Sequence, residues 1–178
     1  MPRLFIAVDL PAAATAELAR IEPLPMPGMR LIAQDQMHLT LHYLGEADVE
    51  RMGAALQAVA LPAFSLTLER VGRFAAAGGA VTLWVGVRDN PQLLRLHAEV
   101  AGALAGEGFL PEKRRYSPHI TLARCKPVVP ASVVSLFLEQ HAAFLLPDLP
   151  VVGFGLYSSS LIDGVRVYLR ERAFRLLA

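Results

Sequence analysis

Apolar and polar positions alternate along several stretches of this chain, and between them apolar residues recur at helical spacing. Leu4 to Val8 is a short continuous apolar run, expected to form a buried strand. Pro11 can open a helix, and Ala12 to Ile21 is rich in helix formers until Pro23, Pro25, Pro27 and Gly28 impose a loop. A short strand is expected around Met29 to Ala33, and a longer one over Met37 to Leu44. Asp48 is placed to cap a helix through Ala60, which Pro62 stops. Phe64, Leu66 and Leu68 alternate with polar residues in a strand that runs to Val71. Arg73 to Ala80, with Gly78 and Gly79, reads as a hairpin connection to a strand over Val81 to Val87. Asn90 and Pro91 open a helix to about Ala105, with Leu93, Leu94, Leu96, Val100 and Leu104 on its apolar face. A loop from Gly106 to Ser117 leads into another strand. Pro130 opens a helix to about Ala143, and strands over Val151 to Ser158 and Val165 to Arg172 close the chain. Strand–helix alternation is irregular and hairpin-like pairs are frequent, which predicts an α+β fold with antiparallel sheets rather than a doubly wound parallel sheet.

Two of these strands carry the same pattern. Met37-His38-Leu39-Thr40-Leu41-His42-Tyr43-Leu44 is echoed by Ser117-Pro118-His119-Ile120-Thr121-Leu122-Ala123-Arg124, each reading His-x-Thr-Leu with an aliphatic residue at x. Period-two geometry puts His38 with Thr40, and His119 with Thr121, on one face of each strand, opposite Leu39, Leu41, Ile120 and Leu122. Chance would supply roughly 0.02 such matches in a chain of this composition, and two on the order of a few in 10,000. The pair therefore reads as two equivalent half-sites facing each other across a cleft, in two halves related by a pseudo-twofold. Two imidazoles with ordinary pKa values near 6.5 can divide the work of a general base and a general acid at neutral pH. The threonine hydroxyls can donate to oxygens on which charge accumulates.

These motifs are similar to those of the 2H phosphoesterases. The opening Arg3-Leu4-Phe5-Ile6-Ala7-Val8-Asp9-Leu10-Pro11, the extension His42-Tyr43-Leu44-Gly45-Glu46 and the run Pro118 to Arg124 resemble the bacterial RNA 2′,3′-cyclic phosphodiesterases, also called 2′-5′ RNA ligases. The resemblance covers nearly the whole chain, with two departures: His42 stands where the family commonly has Arg or Lys, and Ser117 where it often has Arg. It implies one bilobal domain over residues 1–178, its two pseudo-symmetric lobes each an antiparallel sheet backed by helices with the active-site cleft between them. It implies hydrolysis of 2′,3′-cyclic phosphate ends of RNA, or of cyclic nucleotides, to 2′-phosphomonoesters, and reversible 2′-5′ ligation. His38 would be the acid and His119 the base, with Thr40 and Thr121 beside them and Arg124 on the phosphate; no metal and no cofactor are expected.

Composition narrows the partners. The formal net charge is +1 over 178 residues, so RNA must be met by a local patch and not by a global basic field. One cysteine, Cys125, permits no disulfide within the chain, which suits the cytoplasm. The N-terminus lacks a signal-peptide core, and no run of about 18 apolar residues suggests a membrane span. A monomer is expected. Further candidate contacts are His42, which shares the parity of His38; Phe5 and Tyr157 as faces for a base, with core packing the stronger expectation for both; and Arg114 and Arg115, with Lys113, as a mobile basic patch or equally a plain solvated loop. Arg124 has the wrong parity to join His119 unless the strand end twists. His97 and His141 are read as structural helix residues. Two rivals stand beside the enzyme. One is zinc held by His38, His42 and His119, disfavoured because neither motif carries an acidic residue. The other is a non-catalytic RNA-end or nucleotide-binding module using the same cleft.

Overall fold

The computed structural model describes all 178 residues, in an α+β arrangement of nine strands and four α-helices. The strands are β1 (Arg3–Val8), β2 (Met29–Leu31), β3 (Leu39–Glu46), β4 (Phe64–Ala75), β5 (Val81–Val87), β6 (His119–Cys125), β7 (Leu145–Val151), β8 (Gly153–Ile162) and β9 (Val165–Arg175). The helices are α1 (Ala12–Arg20), α2 (Val49–Leu56), α3 (Pro91–Ala105) and α4 (Ala131–Gln140). Local chemistry sets the helix starts: Asp48 accepts from the Arg51 N–H at 2.8 Å, and Asn90 accepts from the Leu93 N–H at 3.0 Å ahead of Pro91. No helix is long and apolar enough to cross a membrane.

The strands form one antiparallel sheet in the order β7-β4-β5-β6-β3-β1-β8-β9, with β2 added to β6. The sheet divides at its middle. β3 and β6 share a single ladder pair, Leu39 with Ile120, and four strands run outward from it on each side. Those two residues are the same position of the two His-x-Thr motifs, so the contact is self-complementary, as a pseudo-twofold requires. Both are fully buried in an apolar cluster of 34 residues that continues through both halves.

Several expectations change. The helix expected to reach Ala60 stops at Leu56, and the one expected to reach Ala143 stops at Gln140. β4 continues through the supposed connection to Ala75: Arg70 adopts φ 62° at a register shift, which resets the alternation that had failed at Glu69. The strand expected from Val151 begins at Gly153 and reaches Ile162. β7 was unexpected because Pro147 and Pro150 break its pattern; it is an edge strand paired only with β4, where missing N–H donors are tolerated.

Candidate active site

His38, Thr40, His119 and Thr121 lie on one side of the sheet, because Leu39 and Ile120 between them are buried on the other. Antiparallel pairing about Leu39–Ile120 sets His38 opposite Thr121 and Thr40 opposite His119. The two histidines are then diagonal neighbours, on the order of 7–8 Å apart at Cβ, a gap suited to groups acting on opposite sides of one phosphorus.

The two imidazoles are held alike. His38 Nδ1 donates to the Gln36 carbonyl at 2.7 Å, and His119 Nδ1 donates to the Ser117 carbonyl at 2.8 Å. A carbonyl only accepts, so each bond fixes the proton on Nδ1 and leaves Nε2 for chemistry. Aromatic rings flank both. His38 packs against Phe5 at 4.9 Å and edge-on to Tyr168 at 5.0 Å; His119 packs edge-on to Phe74 at 4.8 Å and beside Trp84 at 6.2 Å. Trp84 lies so close to Gly72 that a Cβ there would meet its ring at 2.3 Å, so the wall behind His119 needs that glycine. Burial lowers the pKa of His38; the Gln36 bond opposes this, and the charges of Arg124 and His119 add to the lowering.

A register shift changes which side the residues after each motif face. In β3, Leu41 and His42 are both buried and Tyr43 turns out to the cleft, where period two had placed His42. In β6, Leu122 and Ala123 are both buried, and Arg124 returns to the face of His119 and Thr121. The twist that Arg124 needed is this one-residue shift. Tyr43 and Arg124 are equivalent, each five residues after its histidine.

A cleft of about 950 Å³ opens along this face. His38, Tyr43 and Arg124 bound it, while His119, Thr40 and Thr121 lie beside them on the same face of the two strands. Five cations line it: Arg3, Arg30, Arg124, Lys126 and Arg166. No carboxylate lies within ion-pair distance of any of them, and none lines the cleft. Arg30 stands directly opposite Arg124 across β2 and β6, a like-charge pair that is unfavourable until an anion sits between. The cleft therefore has the charge to hold an anion.

Other expected contacts fall elsewhere. His42 is 5% exposed on the far side of β3, where Nε2 donates to the His97 carbonyl at 2.7 Å. The ligand set His38, His42 and His119 is therefore not assembled. Phe5 is the exception: it lines the cleft, but at 3% exposure it is mostly covered and packs against the His38 ring. Tyr157 stacks on Phe5, but its hydroxyl is engaged with Asp9 and Arg170, away from the cleft lining. Arg114 pairs with Glu112 in an exposed loop, and neither it nor Arg115 lines the cleft. Tyr43, Tyr168, Arg3, Arg30, Lys126 and Arg166 were missed. Tyr43 alone had a readable signal, its match in spacing to Arg124.

Behind β3 the His42 and His97 rings stack at 4.0 Å, and burial lowers the pKa of both, that of His97 to about 4. Between pH 6.5 and about 4 the unfolded chain takes up a proton that folded His97 refuses, so stability should fall as the pH drops through that window. Urea unfolding at pH 7 and pH 5 checks this: His97→Phe should lose less stability between the two than the wild type.

An α+β fold with paired His-x-Thr strands around a basic cleft defines a 2H phosphoesterase. The chain belongs to the 2′-5′ RNA ligase superfamily, whose family model matches residues 10–157. It is 27% identical to an RNA 2′,3′-cyclic phosphodiesterase of Methanocaldococcus jannaschii, over 93% of this chain and 96% of that protein. It is 30% identical to one of Thermotoga maritima, over 93% and 91%. Its fold matches the crystal structure of E. coli LigT complexed with 3′-AMP with a TM-score of 0.76, at 28% identity over 99% of both chains.

Proposed function

We propose that this protein hydrolyses 2′,3′-cyclic phosphate ends of RNA, or cyclic nucleotides, to 2′-phosphomonoesters by a metal-independent two-histidine mechanism. The observation that carries the reading is the pair of His-x-Thr strands joined at equivalent positions, each ring with Nδ1 engaged and Nε2 free, on the sheet face where a cleft of cations without carboxylate partners opens beside His38. Water attacks phosphorus while Nε2 of His119 takes its proton. The P–O3′ bond breaks, and the protonated Nε2 of His38 gives the departing O3′ its proton. Thr40 and Thr121 donate to the non-bridging oxygens, and Arg124 with Arg30 offsets their charge. Burial and neighbouring cations favour neutral His38 in the free protein, so the acid role assigned by the resemblance depends on the phosphate anion, which favours the protonated ring. A ribose 5′-hydroxyl in place of water would give 2′-5′ ligation by the same steps. Both histidines come from one chain, so the proposed chemistry needs no residue from a second copy.

The test is an assay of nucleoside 2′,3′-cyclic phosphates and cyclic-phosphate-ended RNA in excess chelator. Full activity with a 2′-phosphate product is expected. Activity lost with chelator and regained with one metal would remove the two-histidine mechanism, and a 3′-phosphate product would reverse the departing oxygen. Binding without turnover would favour the non-catalytic module.

A further inference from the structure

The single ladder pair between β3 and β6 leaves the gap between the two histidines weakly fixed by backbone bonds. Beyond it the strands part, β3 pairing with β1 and β6 taking β2 and β5. On the side of the sheet away from the cleft, a second tie spans the seam. Tyr116, three residues before His119, donates its hydroxyl to the Thr40 carbonyl at 2.7 Å. Its ring lies flat on His97 of α3 at 3.9 Å and 16°, and His97 lies on His42, two residues after Thr40, at 4.0 Å and 25°. His42 in turn donates Nε2–H to the backbone of His97 at 2.7 Å. Phe109 closes the edge of the stack against His42 at 5.3 Å. Three elements, β3, α3 and the lead into β6, therefore meet in one packed set of rings.

The tie reaches both active rings through short chains of atoms. The next residue after Tyr116 is Ser117, whose carbonyl receives His119 Nδ1–H. Thr40, which accepts the Tyr116 hydroxyl through its own carbonyl, lies two residues after His38. None of Tyr116, His97 and His42 lines the cleft, so they cannot act by touching substrate.

We infer that Tyr116 and His97 are positioning residues: their stack with His42, closed by the Tyr116 hydroxyl on Thr40, sets the separation and aim of His38 and His119. The inference rests on the two-histidine mechanism proposed for the cleft. Misplacing a positioned acid or base by about 1 Å can cost on the order of 100-fold in rate. Removing the Tyr116 hydroxyl alone keeps the ring stack and frees the seam.

Four proteins decide the matter: wild type, Tyr116→Phe, His97→Ala and His97→Phe. With a 2′,3′-cyclic nucleotide at pH 7, Tyr116→Phe and His97→Ala should lower kcat by roughly 10- to 100-fold with KM changed less than about 2-fold. His97→Phe, which restores a flat ring between Tyr116 and His42, should return kcat to within about 3-fold of wild type. The imidazole 1H–15N spectra of the same proteins without substrate give a readout independent of turnover. Signals of His38 and His119 should move in Tyr116→Phe and His97→Ala and stay in place in His97→Phe. Lower melting temperatures with unchanged kcat and unchanged His38 and His119 signals would make the stack merely structural and overturn the inference. A wild type that opens no cyclic phosphate would remove the functional reading, while the spectra still decide whether the stack positions the two rings.

Discussion

Replacing His38 or His119 by Ala should lower turnover of a 2′,3′-cyclic phosphate by roughly 100- to 10,000-fold, the range of a positioned general acid or base. The double variant should lose far less than the product of the two single losses, because both groups serve one transition state. Each ring also packs against aromatic neighbours, so some stability is lost with it: Phe5 and Tyr168 for His38, Phe74 and Trp84 for His119. The two effects separate when rate is measured well below the melting temperature and circular dichroism confirms the fold. A melting temperature lowered by several degrees with a near wild-type rate would make both strands structural. The pH dependence adds a sign. kcat/KM and kcat should both follow a bell whose limbs belong to the pair. With His38 as acid, the alkaline limb of kcat/KM reports the free protein, where burial lowers the pKa of that ring. The alkaline limb of kcat reports the complex, where the bound phosphate favours the protonated ring, and should lie at higher pH. Coincident alkaline limbs would speak against that assignment.

Arg124→Ala should lower kcat/KM by about 10- to 150-fold, the worth of a charge-assisted hydrogen bond to phosphate. Arg114→Ala and Arg115→Ala should change it less than about 2-fold, since exposed loop charges away from the cleft contribute little. The contrast comes from the register shift in β6, which buries Leu122 and Ala123 in succession and brings Arg124 to the face of His119. Equal small effects at all three positions would demote Arg124 to a solvated strand-end charge.

Much of this was legible in the sequence where the governing physics is local. Asp48 and Asn90 announce their helices because capping needs only residues within one turn. The histidine–threonine pairs are legible because alternation holds across the three residues of each His-x-Thr. Alternation fails one step later in both strands, and there His42 was misplaced and Tyr43 overlooked: an extra residue exchanges faces without leaving a mark in composition. On sequence alone Phe5 offers a face for a base, with core packing the stronger expectation; it is covered by His38 and by rings from β3, β8 and β9 that only pairing brings near. The cleft cations were invisible for the same reason. Arg3, Arg30, Arg166 and the neighbours Arg124 and Lys126 come from four separate segments, and a formal charge of +1 gives no hint that they gather.

That gathering makes the protein an electric dipole. Taking the five cleft cations away from a total of +1 leaves −4 on everything else. A polyanion meets concentrated positive charge at one opening and a net negative charge over the rest of the molecule, which favours oriented encounters. Under physiological salt this guidance reaches about 8 Å, close to the span of one nucleotide. An anionic end that has come that near is turned toward the opening beside His38.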